Sequence, residues 1–104
     1  MDDSEIVRAA KAIGDASRFK LLSLLAESGE VAVGELAESV GVSQPTASHH
    51  LKTLAECGLL TVRHAGQHSY FAVEGDAVEQ LCSELRERFG GQARLPDLGW
   101  GVID

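Results

Sequence analysis

Residues Val33–Lys52 read VGELAESVGVSQPTASHHLK, and local chemistry divides the stretch in two. Leu36, Ala37 and Val40 recur at helical spacing, so Val33 to Val40 is predicted to form a short helix with those three facing inward. Gly41-Val42-Ser43 then makes a tight turn, for which Gly41 supplies the left-handed conformation that other residues resist. Ser43 is an N-cap, and Pro45 falls in the first turn, where its missing N–H costs nothing. The helix begun there is predicted to run to about Cys57, with Gly58 as its stop. Two helices joined by a three-residue turn containing Gly have the geometry of a helix-turn-helix. Ala37 must be small where the second helix crosses the first. Leu36, Val40, Val42 and Ala47 sit where the pair must be buried.

Working outward, Leu59–His64 and His68–Val73 are β-branched and aromatic-tinged runs around Ala65-Gly66-Gln67, which predicts a hairpin. Upstream, Ile6, Ala9, Ala10 and Ile13 mark one face of a helix from about Ser4 to Ile13. Gly14 ends it, and Asp15 caps a second helix from about Ala16 to Glu27. Phe19, Leu21, Leu22, Leu24, Leu25 and Ala26 give that helix apolar groups on more than one face, so it is expected to be the central buried helix. Ser28-Gly29 breaks the pattern, and Glu30 to Val33 reads as a short extended segment. Downstream, Val78, Leu81, Cys82, Leu85 and Phe89 predict a last helix from about Asp76 to Phe89, stopped by Gly90-Gly91. The expected fold is mainly α with a small β-hairpin, a winged helix-turn-helix in the order α-α-α-α-β-β-α. Residues 1–91 form the expected DNA-binding and dimerisation unit, and 92–104 an irregular tail.

Composition narrows the partners. The 104 residues suit one domain, and 44% apolar residues argue against disorder of the whole chain. With five aromatics among Trp, Tyr and Phe, the core must come mainly from small aliphatics. So thin a core makes a second copy of the chain a plausible source of further burial. The polar, acidic start and the absence of a long apolar run predict no secretory signal and no membrane partner. Two cysteines are too few for a disulfide framework, which points to a reducing cytoplasmic setting. The net charge of −7 disfavours a polyanionic partner at first sight, but it is unevenly spread. Residues 1–42 and 74–104 carry −4 each, whereas 43–73 carry +1 and all four histidines. The middle of the chain is where DNA would meet little repulsion.

The candidate contacts follow from the two predicted projections. Gln44, Thr46, Ser48 and His49 are hydrogen-bonding groups on the front of the second helix of the pair, the end that enters the major groove in such motifs. Gln can bind adenine in two places, and Ser or Thr can serve base edges or phosphate. Ser43 lies at the same helix tip, and Lys52, about one turn on, suits a phosphate. On the hairpin, Arg63, His64, Gln67, His68 and Ser69 flank the tip, and Arg63 matches phosphate geometry best. Ordinary packing is expected for Tyr70 and Phe71. The competing reading is a winged-helix module for a protein partner, which the overall acidity favours. An enzyme fits poorly, for no Ser–His–acid order, phosphate-cradling Gly loop or paired-carboxylate site stands out.

The chain resembles the bacterial ArsR/SmtB regulators. The matching stretches are Ile13–Leu22, Val42–Leu54, Cys57–Leu60 and the wing from Arg63 to Tyr70, and the likeness covers about residues 5 to 89. It implies a homodimeric repressor of double-stranded operator DNA, paired through its first and last helices. The interface candidates are then Ile6, Ala9, Ile13, Val78, Leu81, Cys82, Leu85 and Phe89. Members of this family often sense metals through Cys-x-Cys at the start of the third helix, but Val31–Ala37 holds no thiol here. A second family site needs Asp and His on the last helix, and no His follows His68. No metal site and no required cofactor are expected, and a transition-metal or thiol effector has no support. His49 and His50 point about 100° apart on one helix and cannot easily share an ion. His50 is read as a structural hydrogen-bonding residue. His64 and His68 are expected to approach across the hairpin as a solvated pair, and Cys82 to be a small buried apolar residue.

Overall fold

The computed structural model describes residues 1–90, in the order α1 (Asp3–Ile13), α2 (Ala16–Ser28), β1 (Val31–Ala32), α3 (Val33–Val40), α4 (Gln44–Glu56), β2 (Leu60–Ala65), β3 (His68–Val73) and α5 (Gly75–Arg88). The expected tail, 92–104, lies outside the described residues. This is the predicted winged helix-turn-helix, mostly helical with an antiparallel hairpin. The short extended segment joins the hairpin, giving a three-stranded antiparallel sheet in the order β1-β3-β2.

Element boundaries follow local chemistry. Asp2 caps α1 in a reciprocal box with Glu5, and Asp15 caps α2 by accepting the Arg18 N–H at 3.1 Å. Gly41 ends α3 at φ 81°, where the N–H groups of Gly41 and Val42 both donate to the Ala37 carbonyl. Gly58 does the same service after α4 at φ 78°, with the Leu59 N–H reaching back to the Leu54 carbonyl at 3.1 Å. These caps satisfy the Ala37 carbonyl at the end of α3 and the Leu54 and Ala55 carbonyls at the end of α4, part of the set each helix end leaves free.

The core gathers one stripe from each helix. Leu21 and Leu25 of α2, Leu51 and Leu54 of α4, and Leu59 are fully buried, with Ile6, Ala9, Leu36, Phe71 and Leu81 around them. Ala37 and Ala47 are both buried, as the close crossing of α3 and α4 requires. Two expectations need correction. Ala12, not Ala10, completes the buried face of α1. And α2 is central but buried on one face only: Phe19 stays 59% exposed and Ala26 is exposed. Neighbours pack around the Leu21–Leu25 stripe, and the described residues of this one chain do not cover the far side. No described helix is long and apolar enough to cross a membrane.

Candidate nucleic-acid interface

The second helix of the pair, α4, divides its residues cleanly. Ala47, Leu51 and Leu54 are buried, so Ser48, His49 and Lys52 project from the opposite face. All three are exposed. At the tip, the Ser43 hydroxyl accepts the Thr46 N–H at 3.3 Å and donates to the Thr46 hydroxyl at 2.8 Å. Those two groups therefore hold the helix start as well as lining it. Gln44 and Thr46 are exposed, and the Gln44 side chain leans towards Gly34 in the first turn of α3. Lys52 lies 4.0 Å from Glu56, a loose pair on a side chain that is 76% exposed.

Positioning of this helix runs through Arg18. Its guanidinium donates to the Ala12 carbonyl at 2.7 Å and lies 3.2 Å from His50 Nδ1. It thus ties the end of α1, the start of α2 and the flank of α4, and His50 is the hydrogen-bonding residue expected. The backbone N–H of Arg18 holds the Asp15 carboxyl below its ordinary pKa, with help from the nearby guanidinium charge.

The hairpin turns on Gly66 and Gln67, with Ala65 paired to His68 and positive φ at Gly66. Gln67 is exposed at the tip. The register pairs His64 with Ser69, so His64 and His68 fall on opposite faces of the ribbon, not against each other. His64 Nδ1 instead meets the Ser69 hydroxyl at 2.9 Å. Phe71 is buried, but Tyr70 is half-buried and carries the Arg63 guanidinium 4.7 Å above its ring. Arg63 is also gripped by Glu30, just ahead of β1, with contacts of 2.7, 3.0 and 3.2 Å. This pairing lowers the pKa of the Glu30 carboxyl and raises that of Arg63. Glu30 escaped the sequence analysis because only the strand order brings it to Arg63.

One open concavity of about 640 Å³ is lined by Gln44 at the tip of α4, by Gln67, His68 and Ser69 of the wing, and by Gly34, Glu35 and Glu38 of α3. The two predicted projections therefore share a side of the molecule.

The remaining candidates lie on α1 and α5. Ile6, Ala9 and Leu81 are buried in the chain's own core, and Ile13, Val78 and Leu85 pack partly against it. Phe89 is 80% exposed and Cys82 is exposed, which corrects the expected burial of that cysteine within the chain. Leu81 alone of α5 is fully inside, and Cys82 stands about 100° round the helix from it. Val7, a residue the sequence pattern had not singled out, is 49% exposed and joins Phe89 beside Ile6. A polar clasp fixes the two helices: Arg88 bonds Asp3, and the terminal ammonium of Met1 lies 3.3 Å from Glu84. Cys57 is half-buried, its thiol 3.7 Å from the Arg8 carbonyl. Among the described residues, no three His, Cys, Asp or Glu side chains converge as a metal-binding set.

Known proteins share this fold. The model of the arsR family of bacterial regulatory proteins matches residues 15–62. An uncharacterized HTH-type transcriptional regulator of Methanocaldococcus jannaschii is 35% identical over 77 residues, covering 74% of this chain and 86% of that protein. The arsenical resistance operon repressor of Staphylococcus xylosus is 39% identical over 85 residues, covering 82% and 81%. Among solved structures, the homodimeric winged helix-turn-helix DNA-binding domain of a possible ArsR-family regulator from Mycobacterium bovis matches with a TM-score of 0.68 at 25% identity. That match covers 92% of this chain and 96% of the other.

Proposed function

The chain belongs to the arsR family of bacterial regulatory proteins, a family of DNA-binding transcriptional regulators and not of enzymes, and from that premise we propose that it is a homodimeric repressor lacking the family's cysteine and histidine metal-sensing sites. Two α4 helices related by a two-fold axis would enter successive major grooves, about 34–36 Å apart, of a partly palindromic operator. Ser48, His49 and Gln44 face base edges, while Ser43, Thr46, Lys52, Arg63 and Gln67 hold the backbone. A protein seated there occludes the promoter, which is repression by exclusion. The solved neighbour from Mycobacterium bovis is homodimeric and the Staphylococcus xylosus relative is a repressor, and both support the assignment. Val7, Cys82 and Phe89 are apolar or thiol side chains left open on α1 and α5, and they support pairing through those helices.

One observation carries the reading. Gln44 at the exposed tip of α4 and Gln67, His68 and Ser69 of the wing line a single concavity, which supports one duplex touching both elements. Regulation by a ligand would require different affinity for the DNA-competent and incompetent arrangements of the two subunits. With no thiol between Val31 and Ala37 and no His after His68, divalent metals lack the donors to supply that difference at the family's two positions. The protein is assigned to the reducing cytoplasm, with Cys57 and Cys82 as free thiols.

Footprinting on the chain's own upstream region, with transcription measured in parallel, tests this. The expected result is protection of two half-sites one helical turn apart, loss of transcript, and no change on adding zinc, nickel, cadmium or a chelator. Protection that appears or vanishes with a metal would overturn the metal-free mechanism. Binding without loss of transcript would overturn repression.

A further inference from the structure

The Arg63 guanidinium, the best phosphate ligand on the wing, is already engaged by a carboxylate. Glu30 sits just before β1, β1 pairs with β3, and β3 pairs with β2, so Arg63 reaches across the ring of Tyr70 to meet it. Both Nε and Nη2 donate, and both carboxylate oxygens accept. A carboxylate offers a guanidinium fork the same two-oxygen edge that a phosphate diester offers. We propose that Glu30 is an internal stand-in for a DNA phosphate, holding Arg63 on the outer face of the sheet until a duplex displaces it, and thereby setting the protein's affinity for DNA. The proposal rests on the DNA-binding reading above and deepens it.

The physical case is one of exchange. The pair is exposed, with 56% of the Arg63 side chain and 42% of the Glu30 side chain open to water. Exposed ion pairs are screened and weak, so this one is displaceable. A duplex carries dense charge and gains by releasing counterions when a guanidinium arrives. Tyr70 keeps one face of the guanidinium covered in either state, which makes its ring a swivel seat. When Arg63 leaves, Glu30 is stranded as an unpaired negative charge beside the DNA backbone. Each wing contact therefore trades one anion for another, and the net gain is smaller than a free arginine would give.

The test compares equilibrium binding of the full chain and three variants, Glu30→Gln, Arg63→Ala and the double variant. Each is titrated with a duplex from its upstream region and an unrelated duplex, across about 50 to 200 mM salt. Glu30→Gln is expected to bind both duplexes more tightly, by up to about fivefold per wing engaged, the range an exposed ion pair commands. Its salt dependence should steepen by up to about 0.9 per subunit. Arg63→Ala should bind more weakly with a shallower slope, and adding Glu30→Gln to it should tighten binding clearly less than the same change does in the wild type, because only the repulsion of the stranded carboxylate is then relieved. Unchanged or weaker binding by Glu30→Gln would overturn the proposal, since the pair would then organise the wing for DNA. Equal tightening in the Arg63→Ala background would also overturn it, as a general charge effect. A wild-type chain that binds neither duplex at any salt would instead remove the DNA-binding reading itself, and the proposal with it.

Discussion

The two projections that line the concavity, the tip of α4 and the wing, are prepared in opposite ways. On α4, the side chains of Ser48, His49 and Gln44 are exposed and uncommitted, and the buried face behind them is pinned by Leu51 and Leu54. On the wing, Arg63 is held by Glu30, and His64 by Ser69. A rigid helix with unspent donors suits reading of bases, where each misplaced group costs affinity. A ribbon whose polar groups are internally satisfied suits contacts that form by exchange and are alike for every sequence. On the proposed function, specificity would lie with the helix and the level of affinity with the wing.

The comparison can be broken most severely from behind. Leu51→Ala empties a fully buried site under α4, and chemical denaturation should show a loss of about 2–5 kcal/mol. Reading and backbone binding should then fail together, since α4 and the sheet share that core. A smaller and more selective effect is expected from the exposed side. Gln44→Ala or Ser48→Ala should cost about 1–3 kcal/mol of operator binding and relax sequence preference, while leaving affinity for unrelated duplex intact. Equal losses on both duplexes would move those residues from base reading to the backbone.

Next comes the cap that separates the two helices of the pair. Ser43→Ala removes the acceptor for the Thr46 N–H and should lower stability by about 0.5–2 kcal/mol, read as a shift of the denaturation midpoint. Operator affinity should fall further than unfolding explains, because Thr46 also loses its hydroxyl partner.

The smallest effect concerns acid. The Asp15 carboxyl is held below its ordinary value by the Arg18 N–H, so the folded state binds its proton less readily than the unfolded chain. That stabilisation is complete above the ordinary carboxylate range and is lost as pH falls through the depressed folded value. The thermal unfolding midpoint of the wild type should therefore fall below about pH 4. Asp15→Asn keeps a good cap without a titrating group, and its profile should be flatter there.

How much of this was legible in the sequence depends on the range of the interaction. Gly41, Ser43, Pro45 and Gly58 act within a turn or two of themselves, and the α3–α4 pair was readable from them almost to the residue. Burial at Ala37 and Ala47 was readable because a close helix crossing admits only small side chains. Phe19 was misplaced because an apolar count along α2 does not say how many neighbours will cover it. Cys82 was misplaced for the same reason, since periodicity marks a stripe without fixing which edge of it is covered. His64 and His68 needed the strand register, which one residue of turn length decides: a three-residue turn would have paired them, and the two-residue turn at Gly66-Gln67 puts them on opposite faces. Glu30 meets Arg63 only through two successive strand pairings, and no spacing in the chain announces that.

The claim on which all of this rests is that one duplex engages the front of α4 and the wing at once. Backbone amide NMR shifts of the full chain, titrated with a duplex from its upstream region, test it most directly. The account predicts perturbations concentrated in 43–52 and 63–69, with the open face of α2 around Phe19 and Ala26 unmoved. Shifts centred on α2, or confined to either projection alone, would contradict it.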